Sequence, residues 1–236
     1  LLIIINNKGT IMRKLTILTI FLLGMISSAS ADLGVRIGVG AEVGNYTLSG
    51  TETTPTKTNT SESNDGDVYV PLGSIFIEKQ LSFMPSFLER LSVGYSFVPH
   101  DLKSASIGNG RTDRLDTSKD NLVDQSIQVE ISNINTMYAT FDIFSWLYVK
   151  AGTMDLDVKT LENLGTGSSY GDFSSSGDIL GLGAHKTLDN GIFLRFEAED
   201  SSYSGKTLVS TTNATNTVVV NDFDGTTYRV SIGKSF

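Results

Sequence analysis

Apolar and polar residues alternate with a period of two along much of this chain. In Val35–Val43 the odd positions are valine, isoleucine or alanine, and the even positions are arginine, glycine or glutamate. The alternation recurs in Leu91–Pro99, Ile127–Ile143 and Ile192–Glu199. Because successive side chains of a strand point to opposite faces, this pattern predicts strands with one apolar face and one polar or small face.

Four further strands complete the pattern. They are predicted at Val68–Lys79, Trp146–Val158, Ile179–Lys186 and Tyr228–Gly233. The first has apolar residues on both faces, and we assign to its outer face Val68, Val70, Leu72 and Phe76. At the start of Trp146–Val158 the alternation turns Lys150 inward, and we expect Phe144, Trp146 and Tyr148 to form an aromatic girdle beside a tight turn.

The connections between these strands alternate in length. The long, polar ones are Ser49–Asp67, Lys103–Asp124, Lys159–Gly177 and Ser204–Gly225. The short ones are Leu81–Glu89, Phe144–Ser145 and Leu188–Gly191, the last containing an Asn-Gly turn signal. The sequence therefore predicts an all-β, antiparallel, up-and-down transmembrane barrel of eight strands, with four long outer loops and three short periplasmic turns. Ten strands is the alternative count, and a soluble sandwich is disfavoured because its core would be aliphatic rather than charged.

The first part of the chain has the features of a signal peptide. Met12-Arg13-Lys14 is followed by the apolar run Leu15–Ile26 and by Ala29 and Ala31, the small residues that signal peptidase reads. We predict cleavage after Ala31. The expected organisation is translated upstream sequence at 1–11, a signal peptide at 12–31 and the barrel at 32–236.

The net charge of the chain argues against one class of function, nucleic-acid binding. Loss of residues 1–31 removes three positive charges and no acidic residue, and moves the net charge from −8 to −11. So acidic a chain is unsuited to nucleic-acid binding. No later apolar run is long enough for a membrane helix, so a membrane would have to be crossed by strands.

The signal peptide, the eight alternating segments and the terminal Tyr228-x-Val230-x-Ile232-x-Lys234-x-Phe236 together resemble the small outer-membrane barrels of the OmpA transmembrane domain, OmpX and opacity-antigen group. The resemblance covers residues 32–236 and rests on pattern. It implies location in the cell outer membrane, with outer-membrane lipid and lipopolysaccharide as surroundings. It also implies that Tyr228, Val230, Ile232 and Phe236 form the signal read by the barrel-assembly machinery.

The inward positions carry charges of both signs. Eight strands enclose a lumen that side chains can fill, and an unpaired buried charge is costly, so we expect these charges to pair. The predicted ion-pair network comprises Arg36, Glu42, Arg90, Glu130, Lys150, Arg195, Glu197, Glu199 and Arg229. A structural plug is the favoured interpretation, and a narrow polar pore is the alternative.

Few residues indicate catalytic or metal-binding chemistry. His100 with Asp101 is the one defensible catalytic pair, and His185 is expected to face the lumen. Acidic loop clusters such as Asn64–Asp67 lack the spacing of a calcium loop. The sequence therefore predicts no enzyme, cofactor or metal site. The predicted role is structural or surface-interacting, with loops displayed to an extracellular ligand that the sequence does not name, and the alternative is a small porin for ions or polar solutes.

Overall fold

A computed structural model describes residues 34–54, 60–81, 87–103, 107–111, 123–163, 169–212 and 214–236. The predicted upstream segment, signal peptide and cleavage site at Ala29 and Ala31 lie outside these residues. Among the described residues, no helix is long and apolar enough to cross a membrane.

The described chain is built almost entirely of strands. A short 3-10 turn, Leu88–Arg90, precedes β3. The strands are β1 Val35–Thr54, β2 Thr60–Gln80, β3 Leu91–Phe97, β4 Leu102–Lys103, β5 Ile107–Arg111, β6 Val123–Phe144, β7 Leu147–Asn163, β8 Phe173–Thr187, β9 Ile192–Tyr203, β10 Lys206–Val209, β11 Thr217–Val220 and β12 Phe223–Ser235.

Eight of these strands close into a barrel. Each of β1, β2, β3, β6, β7, β8, β9 and β12 pairs antiparallel with the next, and β12 pairs back with β1. Following the paired residues around the barrel from Arg36 returns to β1 at Tyr46, ten residues further along. That stagger tilts the strands by about 40° to the barrel axis. The predicted eight-stranded up-and-down architecture is confirmed.

The two faces of the barrel wall differ as the alternation predicts. On β9, Phe196 is 59% exposed on the outside, whereas its neighbour Arg195 is 2% exposed on the inside. Exposed apolar side chains occur on most strands, among them Val43, Ile77, Val93, Met137, Leu180, Phe196 and Val230. A continuous exposed apolar band is typical of a surface that faces lipid.

The short connections and both ends of the barrel chain lie at the same end, which we call the short-turn end. In Leu188–Gly191 the Gly191 N–H donates to the Leu188 carbonyl at 2.8 Å, and Gly191 has a φ of 80°. Asn190 keeps a negative φ, so only the glycine of the Asn-Gly pair takes the left-handed conformation.

The opposite, long-loop end contains more strand than the sequence predicted. Pairing of β1 with β2 continues to Thr54 and Thr60, inside the predicted loop Ser49–Asp67. The predicted loop Ser204–Gly225 contains the β10–β11 hairpin, and β11 pairs with β1. The extensions of β1 and β2 have few apolar residues, so no alternation marked them. β10 and β11 are only four residues each, too short to show a clear alternation, although their threonine and valine favour strands.

Side-chain orientations differ from the sequence prediction in two places, on β2 and at Tyr148. On β2, Val70 and Phe76 are buried at 4% and 3% exposure, while Tyr69 and Ile77 face outward. The reason is Glu78, which shares the face of Phe76 and must point away from lipid. Phe144 and Trp146 are exposed and stack with ring centroids 6.1 Å apart, as a girdle requires, but Tyr148 is 1% exposed and points into the lumen.

Candidate functional site: an ion-pair cluster in the lumen

A row of alternating charges crosses three neighbouring strands inside the barrel. Glu42 on β1 pairs in register with Arg229 on β12, and Arg229 pairs with Glu197 on β9. Arg229 Nε lies 2.8 Å from Glu42 Oε1, and its Nη1 lies 3.3 Å from Glu197 Oε2 and 3.0 Å from Glu199 Oε1. One guanidinium therefore joins three carboxylates, using the several N–H groups of its fork.

Lys150 joins the same carboxylates from the other side. Its Nζ lies 2.7 Å from Glu199 Oε1 and 3.4 Å from Glu197 Oε1, and 4.1 Å from the centre of the Tyr138 ring. Lys150 is on β7 and the two glutamates are on β9, so the ammonium group reaches past β8. At the facing position β8 carries Gly181, which leaves room for the contact.

Arg195 and Glu78 join two parts of the barrel wall across the lumen. Arg195 on β9 donates two hydrogen bonds to Glu78 on β2, at 2.5 and 2.6 Å. Tyr138 donates a third to Glu78 at 2.9 Å, and Arg36 Nη1 lies 3.9 Å away. Paired fork-to-carboxylate bonds of this kind are among the stronger and more directional ones. The contact crosses the lumen because β9 and β2 are not neighbours in the barrel.

Sequence reasoning missed Glu78. It lies on β2, where apolar residues occur on both faces, so the sequence did not show which face points into the lumen. The signal was the charge itself, because a glutamate in the membrane-level part of a strand has to face the lumen. Its parity places Phe76 inward as well, where the Phe76 ring centre lies 5.0 Å from the Arg195 guanidinium.

The cluster is almost completely shielded from water. The side chains of its seven central members are at most 4% exposed. These are Glu42, Glu78, Lys150, Arg195, Glu197, Glu199 and Arg229. Four carboxylates thus face three cations, and Arg36, at 14% exposure, supplies the fourth positive charge at one edge. Such balance is what buried charges need, since each one stripped of water must be offset by a partner.

Small residues make room for this cluster and for the rings around it. A side chain at Gly38 would meet the Phe76 ring at 2.5 Å, and one at Gly183 would overlap the Tyr148 ring. The Tyr148 ring in turn lies 5.2 Å from the Arg195 guanidinium. The interior is therefore filled by large side chains that face glycines across the strands.

Two residues of the predicted network lie elsewhere. Arg90 donates to the Ile143 carbonyl at the short-turn end, and its guanidinium lies 5.3 Å from the Phe141 ring centre. Glu130 pairs with Lys103 at 2.7 Å and with Lys159 at 3.0 Å, and both lysines are about half exposed. The prediction that these two residues join the lumen network is wrong.

A β-bulge explains the position of Glu130. The register between β6 and β7 shifts between Ser132 and Asn135, and Asn133 has a φ of 52°. A bulge of this kind changes which face the side chains on either side of it point to. Beyond it, Ile131 packs against the interior, and the carboxylate of Glu130 meets two surface lysines. The hydrogen bonds from Lys103 and Lys159 hold the pKa of Glu130 below its ordinary value.

Towards the long-loop end the interior changes character. Above the ion pairs lies an apolar cluster of Val70, Leu102, Ile134, Leu156, Val158 and Tyr203. Tyr46, Phe223 and Met154 pack against it, and the Tyr203 and Phe223 rings stack with centroids 4.7 Å apart. The prediction of a polar lumen thus holds for the middle of the barrel and fails for this end.

The histidine of the candidate catalytic pair, His100, is hydrogen-bonded to the backbone of β2. His100 Nε2 accepts a hydrogen bond from the Gly73 N–H at 3.1 Å, which occupies the lone pair that a general base would use. His185 stacks on Tyr148 with ring centroids 5.6 Å apart. Within the described ranges, no group of three histidine or acidic side chains is placed to hold a metal ion.

No protein-family model matches the sequence, and no curated protein matches it significantly. Solved structures with a similar fold include Neisserial surface protein A, at 10% identity and a TM-score of 0.40, over 86% of this chain and 97% of that one. The attachment invasion locus protein Ail of Yersinia pestis is similar at 13% identity and a TM-score of 0.33, over 84% and 99%. The outer-membrane protease OmpT of Escherichia coli is similar at 5% identity and a TM-score of 0.43, over 89% and 100%.

Proposed function

We propose that this protein is an outer-membrane β-barrel with a closed lumen, whose role is to display its long-loop end at the cell surface. The observation that carries the proposal is the contact of Arg195 with Glu78 across the lumen, within a buried, charge-balanced cluster. A barrel whose cross-section is filled in this way serves as a scaffold for what it carries at its ends.

A small porin is the competing function. It would need a continuous water path past the cluster, and the near-complete burial of Lys150, Arg195 and Glu197 favours closure instead. For catalysis, the occupied Nε2 of His100 favours a non-enzymatic role.

The outer face of the barrel supports a location in the outer membrane. The apolar band suits outer-membrane lipid, with lipopolysaccharide at the long-loop end. Tyr228, Val230 and Ile232 are exposed on the lipid-facing side of β12, and the Phe236 N–H donates to the Val35 carbonyl at 2.8 Å. This last strand is the segment we propose for recognition by the barrel-assembly machinery.

Limited proteolysis of intact cells tests surface display. We expect external protease to cut first in 210–216, the connection between β10 and β11, where residues 211, 212, 214 and 215 are exposed. The matched control is the exposed turn Leu188–Gly191 at the other end, which should be cut only after the outer membrane is permeabilised. Cleavage of that turn in intact cells, with 210–216 protected, would contradict the proposed orientation.

A further inference from the structure

The barrel wall has a seam between β2 and the segment that follows β3. The last residues paired across this junction are Ile75 and Phe97. Beyond them the chain of β3 continues through 98–101 into β4, which pairs with β6. Among the described residues, Tyr69–Gly73 of β2 has no strand partner on this side.

The exposed edge of β2 at the seam is adapted to having no strand partner. The Gly73 N–H points towards the seam, where His100 Nε2 accepts it at 3.1 Å. Backbone groups two residues apart on a strand point the same way, so residue 71 also faces the seam. That residue is Pro71, which has no N–H to leave unpaired. A side-chain acceptor and a proline thus remove two donors whose burial in lipid would be costly.

The two sides of the seam differ in what they face. On the outside, the seam lies beside the exposed side chains of Tyr69 and Phe97, at the edge of the apolar band nearer the long-loop end. Inside, Val70 of β2 and Leu102 of β4 belong to the apolar cluster. Side chains rather than a hydrogen-bonded ladder therefore separate an apolar interior from the lipid-facing surface.

We propose that the apolar cluster takes up an acyl chain of a membrane lipid, which enters through this seam. Leu102 borders the seam from the inside and is packed in the cluster at 3% exposure, so it has to move for entry. Its segment is held by backbone pairing to β6 alone among the described strands. The ion-pair cluster lies below the site, so a bound chain stops there. The occupant is a lipid chain because the seam opens onto the apolar band.

Photolabelling tests the proposal. Folded protein is reconstituted in phosphatidylcholine vesicles containing a phosphatidylcholine with a diazirine near the end of one acyl chain, and the adducts are mapped by mass spectrometry. We expect adducts on the inward residues Leu102 and Ile134 as well as on the outward control Leu182. Adducts confined to outward residues such as Leu182 would overturn the proposal and leave the closed lumen untouched.

Two variants locate the route. Leu102→Ala truncates the side chain that borders the seam from the inside and should raise labelling of Ile134 severalfold, with Leu182 unchanged. The pair Gly73→Cys and His100→Cys places the only two cysteines of the protein across the seam. Oxidation of that pair should lower labelling of Ile134 severalfold, and reduction should restore it.

Unchanged labelling of Ile134 in Leu102→Ala would contradict entry at the seam, whether or not the cysteine pair forms its bond. The same holds if labelling persists when the pair is shown to be oxidised. Heat-modifiability on gels checks that each variant is folded, because folded barrels resist SDS until boiled.

Discussion

Two groups of ion pairs in this protein use the same kinds of side chain in different surroundings. In the lumen, Arg195 and Glu78 meet at 2.5 Å with both side chains nearly inaccessible to water. Beyond the bulge of β6, Glu130 meets Lys103 at 2.7 Å, but the lysine is 53% exposed. The distances are alike, so the difference in burial decides how much each pair matters.

Loss of the lumen pair should have the largest effect. Arg195→Ala leaves the fully buried Glu78 carboxylate without its two strongest hydrogen bonds. Breaking a buried pair in this way costs about 3–5 kcal/mol, reduced to the extent that water enters the lumen. Denaturant unfolding of the reconstituted barrel, followed by circular dichroism, measures the change.

Arg36→Ala is the control for that experiment, because Arg36 lies 3.9 Å from the same carboxylate and is partly exposed. Its loss should cost less than the loss of Arg195, because 3.9 Å is beyond hydrogen-bond distance. Equal destabilisation by the two substitutions would mean that Arg195 has no special part in the cluster.

The packing around the cluster should give the next largest effect. In Gly183→Ala the added methyl group overlaps the Tyr148 ring, which is packed beside Arg195. Overpacking of this kind costs about 1–3 kcal/mol. Gly171→Ala is the matched control, because a side chain there would have no neighbour within 4 Å. Equal stability of the two variants in denaturant would show that the lumen is looser than described.

The pairs of Glu130 with its two half-exposed lysines should give the smallest effect. Glu130→Gln removes the charge that Lys103 and Lys159 share, and should lower the free energy of unfolding by at most about 1 kcal/mol. The pKa of Glu130 is lower in the folded state than its ordinary value of 4.5. Its contribution is therefore complete above pH 4.5 and is lost as the pH falls through the folded pKa.

The pH dependence distinguishes this pair from general acid sensitivity. The difference in unfolding free energy between the wild type and Glu130→Gln should be constant above pH 4.5 and shrink below it. A difference that grows on acidification would contradict the assigned pairing.

Alternation predicted the barrel because lipid outside and a filled lumen inside impose opposite demands on successive residues. The same reasoning placed Lys150, Arg195 and Glu197 correctly inside, since each lies on a strand with one clearly apolar face. It failed on β2, where apolar residues on both faces obscured which face points into the lumen. Tyr148 was misplaced because an aromatic beside a turn suits the girdle as well as the lumen.

The residue pattern of a single strand cannot predict features that depend on how two strands pair. The bulge at Asn133 reverses the facing of Glu130, and nothing in the alternation of β6 marks it. The seam arises because the chain leaves β2 after Phe97, and this is visible only once β2 and β3 are paired. The polar extensions of β1 and β2 likewise become strands because they pair with each other.

Single-channel recording in planar lipid bilayers tests the closed lumen most directly. The wild-type barrel, reconstituted at known orientation and neutral pH, should conduct little or no current. Arg195→Ala should leak cations, because it leaves the carboxylates of Glu78 and Glu197 in the lumen with less positive charge beside them. A wild-type channel that is open most of the time would contradict the account, whatever the variant does.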